Sequence, residues 1–291
     1  MSASSPDAWD ARARRLLEGG ADPHYAPDAD ELALYRRTLE PWCAHAERSA
    51  ATPRLLVLGA TPELADLGLE LGFDVVRVDA SPTMFEAARL RERVEDRGRE
   101  QCLVADWRNL ESLDTDSVHA VVGDAALNNV DHADMESVLE ELQRVLPVGG
   151  ILSLKQIVLP TTAGDRLELE PVLRARRAGE LDDRTFRMLV RFWCFRRPAL
   201  DPSRHVLDAA AVYRAVDEER EKGTWTDEEY ALLLASRSDL RHTVYAAPTQ
   251  KALFMRFFGS CRTEHASPAL HHQLFFVHHV ARNARRWATA R

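Results

Sequence analysis

The chain has 291 residues and a formal net charge of −8, from 38 Lys and Arg against 46 Asp and Glu, which argues against a nucleic-acid backbone as its main partner. Hydrophobic residues at 45% and charged residues at 29% describe a globular chain with enough length to bury a substantial core. No apolar run approaches the roughly 20 residues that span a bilayer, and the start, MSASSPDAWDARARR, has no apolar signal core. Cys43, Cys102, Cys194 and Cys261 are scattered without a CxxC pair, as expected for reduced thiols in a cytoplasmic protein.

In chain order, residues 1–49 read as polar helices and loops, with a helix over Glu31–Leu39 that Pro41 should terminate. Arg54–Leu58 is a short apolar strand that stops at Gly59; Thr61 then stands at a helix N-cap and Pro62 in its first turn. A second strand, Val75–Val78, ends on Asp79. This is the opening of a nucleotide-binding βαβ unit, in which helix N–H groups face the ligand and the acid meets a ribose diol. Only Gly59 of a glycine-rich fingerprint is present, so the turn by itself does not choose among adenosine-bearing cofactors.

Next come Gln101–Ala105, ending on Asp106, and Val118–Val122, ending on Gly123-Asp124. Asp134–Leu146 is an amphipathic helix with Met135, Val138, Leu139, Leu142 and Val145 at helical spacing. The Gly149-Gly150 turn leads into a buried-type strand over Ile151–Val158, with Lys155 and Gln156 near its end. Alternating strands and helices predict an α/β chain: a Rossmann-like, doubly wound, mostly parallel sheet with helices on both faces.

Residues 160–248 read as helical. Asp183–Phe195 carries Phe186, Leu189, Val190 and Trp193 on one stripe, and Thr226 with Glu229 forms a capping box. A helix over Thr249–Phe258 and strands over Cys261–His265 and Leu274–Val280 follow. The expected organisation is a sheet domain from 50–159 plus 249–291, a helical cap insertion from 160–248, and an N-terminal segment from 1–49 completing the cap. His265, His271, His272, His278 and His279 crowd the last segment. In a single strand, however, His272 and His278 would stand about 20 Å apart, and no metal site is expected.

Taken together, these residues resemble the class I S-adenosylmethionine-dependent methyltransferases over about residues 50–158, and loosely at the C-terminus. VDASPTMFEAAR, with Asp79, Ser81, Met84 and Ala88, carries the resemblance most specifically; Asp106-Trp107 within VADWRNL and Gly123-Asp124 within VVGDAALNNV add to it. The LGATPEL loop departs from the family's glycine-richer turn. The resemblance implies S-adenosyl-L-methionine as cofactor and S-adenosyl-L-homocysteine as product. It implies that Gly59, Ala60 and Thr61 face the amino-acid tail, Asp79 takes the ribose hydroxyls, and Ser81 and Met84 border adenine. Asp106 would accept from the adenine amino group, Trp107 cover the ring, and Asp124 hold the ammonium and position the donor.

Methyl transfer needs alignment and exclusion of water more than catalytic side chains. His132, after the fourth strand, is the candidate general base. Asn128, Asn129, His24, Tyr25 and Trp193 are candidates for contact with a small-molecule acceptor, methylated at oxygen or nitrogen. A homodimer is compatible with the sequence but not indicated by it. Readings from other classes are a nicotinamide-dependent oxidoreductase built on the same opening unit, and a non-catalytic binding module suggested by the sparse glycine loop.

Overall fold

The structure is a computed structural model that describes residues 6–19, 26–49, 52–160 and 167–284. Two helices, α1 (Pro6–Leu17) and α2 (Ala29–Ser49), precede the sheet. Helix α2 runs through Pro41 instead of ending there. Leu39 before the proline and Trp42 after it pack on the same core, so tertiary contacts carry the helix past a residue that should break it.

The first half of the sheet follows the expected order. Strand β1 (Arg54–Leu58), helix α3 (Pro62–Glu70), β2 (Asp74–Asp79), α4 (Pro82–Ala88) and β3 (Glu100–Val104) form two crossovers. Strand β4 (Ala120–Asp124) begins two residues later than its apolar run, and α5 (Met135–Val145) leads to β5 (Ile151–Leu159). Strands β1 to β5 pair in parallel, with Leu56 opposite both Val76 and Val121. The full order is β3-β2-β1-β4-β5-β11-β10, in which β10 (Gly259–Glu264) and β11 (Phe276–Asn283) are late additions. Strand β11 runs antiparallel to both β5 and β10. Chain order reverses between β1 and β4, and in open α/β sheets the crevice beyond such a reversal is where ligands bind.

Both faces of the sheet are covered. Tyr35 and Leu39 of α2 and Leu64 and Leu67 of α3 pack with Leu55, Val57 and Phe73 on one side. Val138, Leu139 and Leu142 of α5 pack with Phe254 and Phe258 of α11 (Ala247–Phe258) and with Leu56 and Val121 on the other. Gly68 lets α3 close on the sheet: a Cβ there would stand 2.6 Å from Leu55 Cδ2 and 2.9 Å from Val75 Cγ2.

The segment between β5 and α11 has its own core. Helices α6 (Leu169–Arg177), α7 (Asp183–Leu189), α8 (Arg196–Ala199), α9 (Ala209–Glu221) and α10 (Asp227–Leu234) surround Phe186, Phe192, Tyr213 and Trp225. The Thr226–Glu229 capping box forms as the sequence predicts. The helix expected over Asp183–Phe195 changes to a π turn at Val190–Cys194. A three-stranded antiparallel sheet, β6 (Leu200–Asp201), β7 (Val206–Asp208) and β8 (Arg241–Thr243), was not legible, because strands of two or three residues carry no measurable alternation. The short β9 (Tyr245–Ala246) then joins the end of β5 in parallel. His271 and His272 lie on a short helix, α12 (Leu270–Leu274), not on the strand expected from Leu274 onward.

Candidate active site

Strand β1 ends on Gly59, whose φ of +90° turns the chain away from the sheet and leaves no Cβ over the strand ends. Thr61 occupies the N-cap of α3 in extended conformation, but its hydroxyl makes no capping bond; Pro62 starts the helix. Asp79, at the end of β2, folds back on this turn. Its Oδ2 accepts the Ala60 N–H at 3.1 Å and its Oδ1 accepts the Ser81 N–H at 2.9 Å. Burial pushes the Asp79 carboxyl up to about 6, although these backbone bonds favour its ionised form. Trp107 is pinned by an indole N–H bond to the Val78 carbonyl at 2.8 Å, which sets its ring beside Gly59.

These side chains surround a cavity of about 240 Å³ at the carboxyl ends of β1, β2 and β4. Of the sequence-predicted residues, Gly59, Ala60, Thr61, Asp79, Met84, Asp106, Trp107, Asp124 and Asn128 all line it. Asp106 is exposed, and its carboxylate is gripped by the Arg108 guanidinium at 2.9 and 3.0 Å, which holds its pKa low. Arg108 also reaches Asp134 at 2.8 Å, so the outer rim is a charge-paired strap.

Asp124 departs from the expected picture. Its side chain is 1% exposed and its carboxylate pairs with Lys155 of β5, whose Nζ also lies 3.0 Å from Glu31 of α2. Burial raises the Asp124 carboxyl above its usual range while Lys155 pulls the other way. Glu31 in turn meets Arg184 at 3.2 Å, and the Tyr35 hydroxyl donates to the Gly123 carbonyl at 2.7 Å. The acid is thus committed to an internal ion network and is not a free anion for a ligand ammonium. Immediately after it, Ala125 adopts a left-handed φ of 52° in the cavity wall, a strained position for a residue with a side chain.

Other expected residues do not reach the cavity wall. Ser81 is buried as the N-cap of α4: its hydroxyl accepts the Met84 N–H at 3.1 Å and donates to Asp10, which ties α1 onto α4. His132 is exposed, and its Nδ1 lies 2.7 Å from the Tyr245 hydroxyl, in a ring cluster with His205 outside the cavity lining. Trp193 packs edge-on against Phe275 in the second core, with centroids 6.3 Å apart. His24 and Tyr25 lie outside the described residues. Asn128 does line the cavity, but its amide is spent on backbone: it donates to the Ile157 and Thr243 carbonyls at 2.9 and 2.8 Å and accepts the Ile157 N–H at 2.9 Å. It staples β5 and β8 together.

Sequence reasoning missed the walls contributed from afar. Trp9, Arg12 and Leu16 of α1 line the cavity from one side, and Leu240, just before β8, and His242, within it, line it from another. The one available signal was their spacing in DAWDARARRLL, where positions 9, 12 and 16 share a helical face; nothing in the sequence says which surface that face meets. Among the described residues, Asp28, His271 and His272 bring metal-ligand atoms within 4.8 Å of one another. Protein partners fill these positions: Asp28 Oδ2 takes Arg184 at 2.6 Å and His272 at 3.0 Å, and His271 Nδ1 meets Thr185 at 2.9 Å.

Residues 58–154 match the model of the family described as "Methyltransferase domain". No curated protein matches the chain. Among solved structures, a Rhodobacter sphaeroides protein assigned provisionally as a zinc-dependent alcohol dehydrogenase is similar at a TM-score of 0.55 and 15% identity, over 94% of this chain and 98% of that one. At these identities such likeness speaks to the fold alone. Burkholderia thailandensis 1,6-didemethyltoxoflavin-N1-methyltransferase, with 1,6-didemethyltoxoflavin and S-adenosylhomocysteine bound, matches at a TM-score of 0.47 and 11% identity, over 97% of this chain and 92% of that one. A SAM-dependent methyltransferase of Methanosarcina mazei matches at 0.48 and 14%, over 80% and 92%. The matched segment, a third of the chain, runs from the end of β1 into β5 and includes the reversal point of the sheet, so it is the part of the chain that is similar to a methyltransferase domain.

Proposed function

We propose that this chain methylates a small molecule at oxygen or nitrogen, with S-adenosylmethionine and the acceptor sharing the cavity at the strand ends. The observation that carries this reading is the convergence there of Asp79, Met84 and Trp107 with Leu240 and His242 from the insertion and Trp9 from α1. One end has the groups an adenosine needs, and distant parts of the chain enclose the other.

The cavity fits the cofactor. A side chain at Gly59 would enter the space between Asp79 Oδ2 and the Trp107 ring, at 3.8 and 3.9 Å, so the missing Cβ leaves room for a ligand. Asp79, held by two backbone N–H bonds, presents its remaining lone pairs to a ribose diol. Met84 and Trp107 offer apolar surface to adenine. The α3 N-terminus at Ala60 and Thr61 suits the carboxylate of the amino-acid tail. When bound, S-adenosylmethionine supplies a methyl group already activated by its sulfonium charge.

The acceptor side is assembled by the parts outside the sheet. We assign residues 1–49 and 160–248 to a cap that excludes water, with α1 and β8 as its contact faces. Ala125 and Asn128 shape the wall between the two halves, while Lys155 neutralises Asp124 behind it. The setting proposed is cytoplasmic, in keeping with cysteines at 43, 102, 194 and 261 that form no disulfide among the described residues.

Calorimetric titration of the purified chain with S-adenosylhomocysteine and with NADH tests this. Micromolar binding of the first and none of the second is expected; NADH binding without S-adenosylhomocysteine binding would replace the reading by the oxidoreductase.

A further inference from the structure

Helix α12 brings His271 and His272 against Thr185 of α7 and against Asp28, the residue before α2. Their ring centroids are 4.4 Å apart, and the two residues are only 7% and 1% exposed. One ligand atom each from Asp28, His271 and His272 lies within 4.8 Å of the others, and none of the three lines the cavity at the strand ends. Their protein partners do not use up their lone pairs. Asp182 Oδ2 only accepts, so the Thr185 hydroxyl donates to it at 2.8 Å and is itself the acceptor for His271 Nδ1 at 2.9 Å. His271 is therefore protonated at Nδ1, with its lone pair on Nε2, a buried atom without a hydrogen-bond partner among the described residues. Burial, with His272 and Arg184 nearby, brings the His271 pKa down to about 4, so this ring is neutral at pH 7. His272 stands between two carboxylates: its Nε2 is 3.0 Å from Asp28 Oδ2, and its buried Nδ1, with no hydrogen bond, is 3.7 Å from Glu31 Oε1.

We infer that Asp28, His271 and His272 bind a zinc ion that clasps the N-terminal segment to α12. Nε2 of each ring and the Asp28 carboxylate give the mixed nitrogen and oxygen donor set that suits a borderline divalent metal, with water in the fourth position. As zinc replaces the proton on His272 Nε2, that proton passes to Nδ1 and faces Glu31. Each ring then has an outer partner that fixes it, Glu31 for His272 and Thr185 with Asp182 for His271. Asp28 keeps its bonds to Arg184 at 2.6 Å and to the Glu31 N–H at 2.9 Å, since a carboxylate has about four lone-pair sites. Four carboxylates, Asp28, Glu31, Asp124 and Asp182, share this network with two cations, Lys155 and Arg184, so a divalent ion balances its charge. The ion lies about 2 Å from each ligand atom and draws them to roughly 3.3 Å apart, so it needs no void of solvent size. The Asp28 side chain, 33% exposed, gives the way in.

The test is zinc titration of the full chain, without a histidine tag and stripped by chelator, followed by calorimetry and metal analysis. One zinc per chain should bind with a dissociation constant below about 10 µM. The Tm should rise by roughly 5 °C at free zinc about a hundred times that constant. His271→Leu should weaken binding at least about a hundredfold. Thr185→Val, which removes only the outer hydroxyl, should weaken it about 10- to 100-fold and decides the matter if the first variant does not fold. No uptake at roughly 100 µM zinc, uptake that leaves Tm unchanged, or an affinity that neither substitution alters overturns the assignment. S-adenosylhomocysteine enters none of these measurements, so the zinc site stands or falls apart from the methyltransferase reading.

Discussion

Asp79 offers the sharpest quantitative handle on the cofactor end. Its two oxygens already accept the Ala60 and Ser81 N–H groups at 3.1 and 2.9 Å, which fixes the carboxylate before any ligand arrives. A charge-assisted bond to a ribose hydroxyl contributes about 1.5–3 kcal/mol, so Asp79→Ala should raise the dissociation constant of S-adenosylhomocysteine about 10- to 150-fold. The carboxyl titrates at about 6 in the free protein. Because the ribose diol donates to the ionised form, the wild-type dissociation constant should be flat above about pH 7 and rise nearly tenfold per unit below about pH 6. Asp79→Asn, of equal size but without charge, should bind weakly at every pH and lose that slope. Folding responds with the opposite sign. The folded pKa lies above the unfolded value of 3.8, so the stabilising contribution of this group is complete below 3.8 and is lost as pH rises through about 6. Calorimetric titrations from pH 5 to pH 8 measure both the affinity and its slope. An Asp79→Ala effect under about threefold, or a slope surviving in Asp79→Asn, would refute the ribose role.

Three further substitutions probe the frame around the cavity. Lys155→Met leaves the carboxylates of Asp124 and Glu31, 1% and 0% exposed, without their shared cation. A loss of about 3–5 kcal/mol and a fall in Tm on the order of 10 °C are expected in thermal melts; an unchanged Tm would mean the network is not integral to the fold. Gly68→Ala gains about 1 kcal/mol in helix propensity. It also drives a Cβ to 2.6 Å from Leu55 Cδ2, so net destabilisation of about 1–2 kcal/mol is expected in denaturant titrations. A more stable variant would show that α3 can lift off the sheet freely. Asn128→Leu strips the Ile157 and Thr243 backbone of three buried bonds. It should cost about 2–4 kcal/mol and speed amide exchange at residues 240–244, while protection unchanged there would show that the staple is dispensable.

Local chemistry made the sheet legible. The run from Arg54 to Asp79 states its strands by composition, its turn by Gly59 and its helix start by Pro62, because burial on both faces demands continuous apolar strands and the crossover demands a turn residue free to reach φ of +90°. Acids at the strand ends were readable for the same reason: a carboxylate just past an apolar run must lie at the sheet's edge. Their present partners were not readable. Asp79 and Asp124 look alike in sequence, yet one is held by backbone N–H groups facing the cavity and the other is neutralised by a lysine 31 residues away. Pro41 failed as a stop signal because Leu39 and Trp42 share one packing surface. His132 is a candidate by its place after the fourth strand and Trp193 by its aromatic helical stripe, whereas the cavity takes Trp9 and His242, which approach it through long-range contacts. Strand and turn preferences act over a few residues and can be read along the chain. Which faces meet across a cavity is settled by how helices and insertions pack in three dimensions, and only the tertiary structure decided that.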